Sequence, residues 1–187
     1  KTSLVATYED GTEVLGEHYI DASSGKQAKL RITDLRTIPK VKIDQDAKLA
    51  ILKADMIILG PGDLYTNTIA NLAVSGVREA IESSMAKVVF VMNLMSRAGE
   101  TYGYKASDFM NDLSKYLDPT RLDYIVINVE TSHSPAVLKK YAEEGSIPVE
   151  DDLGVSYHRA SIIRSRMRAS HKPTLVKGDT LTRTMVR

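Results

Sequence analysis

The residues best suited to chemistry fall in three groups, each placed just after a short apolar run. The first is Gly60-Pro61-Gly62-Asp63-Leu64-Tyr65-Thr66-Asn67, which follows Met56-Ile57-Ile58-Leu59. A buried strand, a glycine turn and the start of a helix together predict an anion site, because backbone N–H groups at such a turn point outward. Glycine there also serves turn geometry alone. The second group is Asn93, Arg97, Glu100 and Thr101, and the third is Asn128, Glu130, Ser132 and His133. In an open parallel sheet, ligands bind at the carboxyl ends of the strands. Three such ends carrying amides, hydroxyls, carboxylates and an arginine suit a ligand with phosphates and a sugar or base. Taken singly, Asn93 and Asn128 could close turns, and Glu100 could pair with Arg97.

No catalytic set emerges. His18, His133, His158 and His171 lack metal-ligand spacing and stand beside no nucleophile motif. No lysine-bearing phosphate loop is present. Asp63 and Glu100 are the pair that would hold Mg²⁺ against a diphosphate.

These groups need a scaffold, and the rest of the chain predicts one. The sequence has 187 residues, 43% of them hydrophobic and 26% charged, with net charge +1 and no cysteine. This is the composition of an ordinary globular protein, read as one domain over 1–187, without the charge signature of a nucleic-acid or membrane binder. Lack of cysteine excludes disulfides and thiolate metal sites and fits a cytoplasmic setting. Leu4–Tyr8 and Thr12–Gly16 flank Asp10-Gly11, a hairpin signal. Tyr19–Gln27 reads as a polar loop and Leu30–Leu35 as a half-exposed strand. From Asp44 the grammar becomes helix to Lys53, strand at Met56, helix over Ile69–Ser83 and strand over Lys87–Met92. A helix from Ser107 to about Leu117, a strand over Leu122–Ile127 and a helix from Pro135 to Ala142 follow, with Gly145 as its C-cap. Strand–helix alternation predicts a Rossmann-like, doubly wound, mainly parallel sheet with helices on both faces and an added antiparallel hairpin. Beyond Pro148, short strands are expected at Ile147–Glu150, Val155–His158 and Thr174–Val176, and a helix at Thr180–Arg187. The basic stretch Arg159–Lys172 reads as a solvated face or subunit contact, with phosphate or RNA as the competing reading.

The run Ala54–Asn67 closely resembles the "ADLIVLGPGSLYTS" signature of the CofD/YvcK-like family, which includes gluconeogenesis factors and 2-phospho-L-lactate transferases. The likeness continues in Gly76-Val77-Arg78-Glu79-Ala80-Ile81, Asn93-Leu94-Met95, Gly99–Asp108 and Tyr141-Ala142-Glu143-Glu144-Gly145. It runs from about residue 4 to 150, and the gluconeogenesis-factor branch fits better. The family's N-terminal "GGGTG" loop has no counterpart, and the chain opens Lys1-Thr2-Ser3-Leu4, so it is expected to be a fragment of a longer protein. The resemblance implies a UDP-sugar such as UDP-N-acetylglucosamine, or another nucleotide diphosphate, as ligand, and a part in carbon metabolism and cell shape without an assigned reaction. In the transferase branch it implies passage of a lactyl- or enolpyruvyl-phospho group to a deazaflavin hydroxyl, with Mg²⁺. It further implies ligand contacts from Tyr141 and from Lys177, which stands where the family has arginine. A homo-oligomer is compatible with it. Three departures bear on the ligand: Asp63 replaces the signature serine, Arg97 a glutamine, and Phe109 a histidine.

Overall fold

The computed structural model describes residues 1–21, 25–130 and 134–166. Two sheets share one buried core. The front sheet is antiparallel, with β1 (Ser3–Tyr8) between β2 (Glu13–Leu15) and β3 (Ile32–Ile38). The expected hairpin is therefore widened by β3, and Gly11 turns it at φ +82°. A short helix, α1 (Glu17–Asp21), occupies part of the stretch read as loop and buries Ile20.

The second sheet is five-stranded, in the order β4 (Met56–Leu59), β5 (Lys87–Val91), β6 (Tyr124–Asn128), β8 (Ala160–Ser165), β7 (Ser156–Tyr157). The β4/β5, β5/β6 and β6/β8 pairs are parallel, and β7 closes antiparallel on β8. The fold is thus α/β with a mainly parallel sheet flanked by helices and an added antiparallel sheet. The fourth parallel strand lies in the segment read as basic. Arg164 is spent there on structure: its guanidinium donates to Asp151 at 2.6 Å and to the carbonyls of Leu153 and Gly154.

Helix α2 (Gln45–Lys53) starts at Asp44, whose carboxylate accepts from the Asp46 N–H at 2.9 Å, and it delivers the chain to β4. The helix expected over Ile69–Ser83 is broken. A π-helical turn, Leu64–Ile69, runs into α3 (Ala70–Leu72), and α4 (Val77–Ser83) begins afresh. Gly76 makes the break: its φ is +95°, and a Cβ there would lie 2.7 Å from the Ile43 side chain. Helix α5 (Ala106–Leu113) follows β5, and α6 (Pro135–Glu143) follows β6 with Gly145 just past its end at φ +72°.

From β4 to β8 each parallel crossover steps the same way across the sheet, so right-handed connections bring their helices to one face. Ile81 of α4 and Phe109, Met110 and Leu113 of α5 accordingly share a core with Val88, Phe90, Ile125 and Ile127. Alternation sends the other side chains of these strands to the opposite face. There β4 departs from the doubly buried strand that four consecutive apolar residues predict: Met56 is 55% and Ile58 60% exposed. Its described neighbour in the sheet is β5 alone, and among the described residues these two side chains stay largely open. The front sheet is locked to α5 from the other side. Arg31 pairs with Asp108 at 3.0 Å, and the Leu35 N–H donates to the Tyr116 hydroxyl at 2.6 Å.

Candidate functional site

The site begins where β4 ends. Gly60 takes φ +76°, and a Cβ on it would sit 3.0 Å from the Val91 carbonyl, so the turn passes too close to β5 for a larger residue. The neighbouring strand end then holds the turn, because the Asn93 amide donates to the Gly62 carbonyl at 2.7 Å. Asn93 is therefore a turn holder joining two strand ends.

The helix expected after the turn is a π-helical one, with the Thr68 N–H bonded to the Asp63 carbonyl at 3.1 Å. Glu100 explains much of this. Its carboxylate, 1% exposed, accepts from the Tyr65 N–H at 3.1 Å and from the Thr66 hydroxyl at 2.6 Å. Burial pushes the Glu100 carboxyl above its ordinary value, while those two donors and Arg97 pull it back. Tyr65 is wholly buried, and its hydroxyl lies 2.6 Å from both the Ile32 carbonyl and Asp112. Burial raises its phenol pKa far above the ordinary value. Tyr104 reaches the same carboxylate at 2.5 Å. Tyr65, Thr66, Glu100 and Thr101 thus form a buried frame under the loop. Thr101 adds to it by accepting from the Arg97 N–H at 2.9 Å.

Over this frame lies a cavity of about 450 Å³, a size suited to a small ligand. Asp63, Arg97 and Tyr141 line it, joined by Asp21, Ser96 and Glu144. Three of the expected ligand residues therefore meet at one opening. Arg97 is its centre: the guanidinium pairs with Asp63 and, at 2.5 Å, with Asp21. Burial lowers its pKa, but Asp63 and Asp21 outweigh that and raise it, so it is a permanent cation. Glu144 is brought in by the turn after α6, where a Cβ on Gly145 would stand 2.9 Å from the Ala98 Cβ.

The other expected residues take other places. Gly60 and Gly62 shape the turn, and Asn67 is exposed on it. Asn128 accepts from the Glu130 N–H at 3.0 Å, closing the turn after β6. Ser132, His133 and Lys177 lie outside the described residues, as do Thr174–Val176 and Thr180–Arg187. Asp21 escaped sequence reading because it sits in a stretch without strand or helix periodicity.

Carboxylate oxygens of Asp21, Asp63 and Glu100 lie within 4.8 Å of one another, a hard donor set of the kind Mg²⁺ takes. Arg97 already provides the positive charge between Asp21 and Asp63, so an ion at these oxygens would have to displace it. As arranged, the donors do not fit Mg²⁺.

A family model described as 2-phospho-L-lactate transferase CofD matches residues 1–168. The chain belongs to the CofD family. Among CofD-family relatives, a Thermotoga maritima protein is 43% identical over 150 residues, covering 80% of this chain and 45% of that protein. It is described as a candidate gluconeogenesis factor. The gluconeogenesis factor of Halalkalibacterium halodurans is 39% identical over 141 residues, 75% of this chain and 42% of that protein. A crystal structure of a Bacillus halodurans protein superposes with a TM-score of 0.78 at 35% identity, over 89% of this chain and 52% of that one. The chain therefore spans about half the length of the relatives it matches. Among the described residues no helix is long and apolar enough to cross a membrane.

Proposed function

We propose that this chain forms the nucleotide-sugar-binding part of a regulatory protein of the gluconeogenesis-factor type. The observation that carries the reading is the cavity over the Gly60–Asn67 loop, with Arg97 at its centre and Tyr141 on its wall. It stands at the carboxyl ends of β4 and β5, where an open parallel sheet takes its ligands. The described lining carries Asp21, Asp63 and Glu144 against the single cation Arg97. That balance suits a ligand whose sugar hydroxyls donate to carboxylates while its diphosphate draws Arg97 away from Asp63. The relatives named gluconeogenesis factor support the regulatory branch.

Calorimetric titration with UDP-N-acetylglucosamine tests this. Saturable heat, weakened at least tenfold by Arg97→Ala, is expected; no heat at millimolar ligand overturns the reading. The family model's description favours a second reading, phospho-group transfer to a deazaflavin-type acceptor. Incubation with a lactyl-phospho-guanosine donor, acceptor and Mg²⁺ distinguishes the two, since the transferase releases GMP and the binding protein does not.

A further inference from the structure

A second cavity, of about 290 Å³, opens between the front sheet and α5 and shares no lining residue with the one around Arg97. One wall is a polar stripe at helical spacing, Asp108, Asn111, Asp112 and Lys115, presented by α5 and the turn after it. Glu9 and Arg31 form another, tied together through the backbone. The Glu9 N–H donates to the Arg31 carbonyl at 3.0 Å, and the Glu9 carboxylate accepts from the Arg31 N–H at 3.2 Å. Both cations are held by partners that leave most of their donors free. The Arg31 guanidinium donates to Asp108 at 3.0 Å and lies 4.8 Å from the Tyr104 ring centre. Lys115 donates to Asp112 at 2.6 Å, and Asp112 is itself fixed by the hydroxyls of Tyr65 and Tyr104. Among the described residues the Glu9 carboxylate has no ion pair and the Asn111 side-chain amide no hydrogen bond.

We propose that this cavity is a binding site for a free α-amino acid. Its lining sets two cations, Arg31 and Lys115, among three carboxylates, Glu9, Asp108 and Asp112. A plain anion gains at the cations but meets the carboxylates behind them, and a plain cation meets the reverse. A zwitterion answers both. Its carboxylate accepts from the free N–H groups of Arg31 and Lys115, a planar acid against a planar guanidinium. Its ammonium, one carbon away, donates to Glu9, which stands beside Arg31, and to the Asn111 side-chain carbonyl. Ile32 and the Tyr104 ring supply the apolar surface for the rest of the molecule. The polar groups are positioned in advance, since Asp108 and Tyr104 hold Arg31 while Asp112 holds Lys115. The volume suits such a ligand, being well below the roughly 450 Å³ around Arg97 assigned to a nucleotide sugar.

Calorimetric titration of this chain with the standard L-amino acids, one at a time at millimolar concentration, should find at least one that binds saturably at a single site. Its amide, which lacks the carboxylate, and its N-acetyl derivative, which lacks the ammonium, should each bind at least about tenfold more weakly, the scale of one charge-assisted hydrogen bond. Glu9→Gln should weaken the amino acid by a similar factor and abolish its advantage over the N-acetyl derivative. Lys115→Gln should reduce its advantage over the amide. Glu9 is exposed, and glutamine keeps an acceptor for the Arg31 N–H, so the melting temperature of Glu9→Gln should not move. Lys48→Gln, on α2 and outside the cavity, should bind as the unaltered chain does. Heat from no amino acid, an amide or N-acetyl derivative bound as tightly as its parent, or binding indifferent to Glu9→Gln would each overturn the proposal. None of these readouts involves a nucleotide, so they stand or fall apart from the reading of the Arg97 cavity.

Discussion

Replacing Glu100 with alanine removes the acceptor on which the loop after Gly62 rests. The side chain is 1% exposed and accepts from the Tyr65 N–H at 3.1 Å and the Thr66 hydroxyl at 2.6 Å. Both donors would stay buried without it, and each unsatisfied buried donor costs about 1–3 kcal/mol. The expected loss is therefore about 2–6 kcal/mol, read as a lower urea midpoint at constant slope by circular dichroism. Glu100→Gln keeps one carbonyl acceptor but sets an N–H₂ group against the other donor, so it should cost about 1–2 kcal/mol. The pH dependence has a definite sign. Burial raises the folded-state pKa of Glu100, so the folded protein binds the proton more tightly than the unfolded chain does. Stability should rise as pH falls from that raised value toward about 4.3, the unfolded value. Glu100→Gln should remove this component. A Glu100→Ala protein within 0.5 kcal/mol of wild type, by the roughly 1 kcal/mol scale of a single net hydrogen bond, refutes the frame.

Asp123 should act with the opposite sign. Burial pushes its carboxyl up, but the Val88 N–H, Lys87 and Arg121 prevail and hold it at about 2. Its contribution is present above about pH 3.9 and lost as pH falls through about 2, so Asp123→Asn should flatten the acid limb of an unfolding titration. Gly60→Ala meets both the +76° φ and the Val91 carbonyl, and should lower stability by about 1–3 kcal/mol while weakening nucleotide-sugar binding. Asp63→Ser removes a carboxylate from Arg97 and from the path of a phosphate. UDP-N-acetylglucosamine should then bind more tightly, with salt weakening the gain; calorimetry at two ionic strengths checks it.

Elements whose pattern is local were legible in the sequence. The apolar runs at Met56, Lys87 and Tyr124 are parallel strands, and Pro135 and Gly145 frame α6. What escaped reading depends on partners distant in sequence. Ala160–Ser165 looked like a basic stretch because Arg164 answers to Asp151, thirteen residues earlier. The single helix expected over Ile69–Ser83 failed because Gly76 must fit against Ile43, from before β4. Site residues divided for the same reason. Asp63 and Arg97, from the first two strand-end groups, line the cavity, and no described residue of the third does. Which of them would face the cavity and which would be buried beneath it turned on the Glu100 contacts to Tyr65 and Thr66, more than thirty residues away.

The bonds from β3 to α5 have a kinetic consequence. The β4–β5–β6 pairings and their crossovers form between segments that follow one another, so each strand can join its predecessor soon after it appears. Arg31 must find Asp108 across 77 residues, and Leu35 must find Tyr116 across 81. Closing loops of that length is entropically slow. The front sheet should therefore dock last in refolding. Until it does, the Tyr65–Asp112 frame has no Ile32 carbonyl to meet, and a binding-competent loop should appear only with the slowest phase.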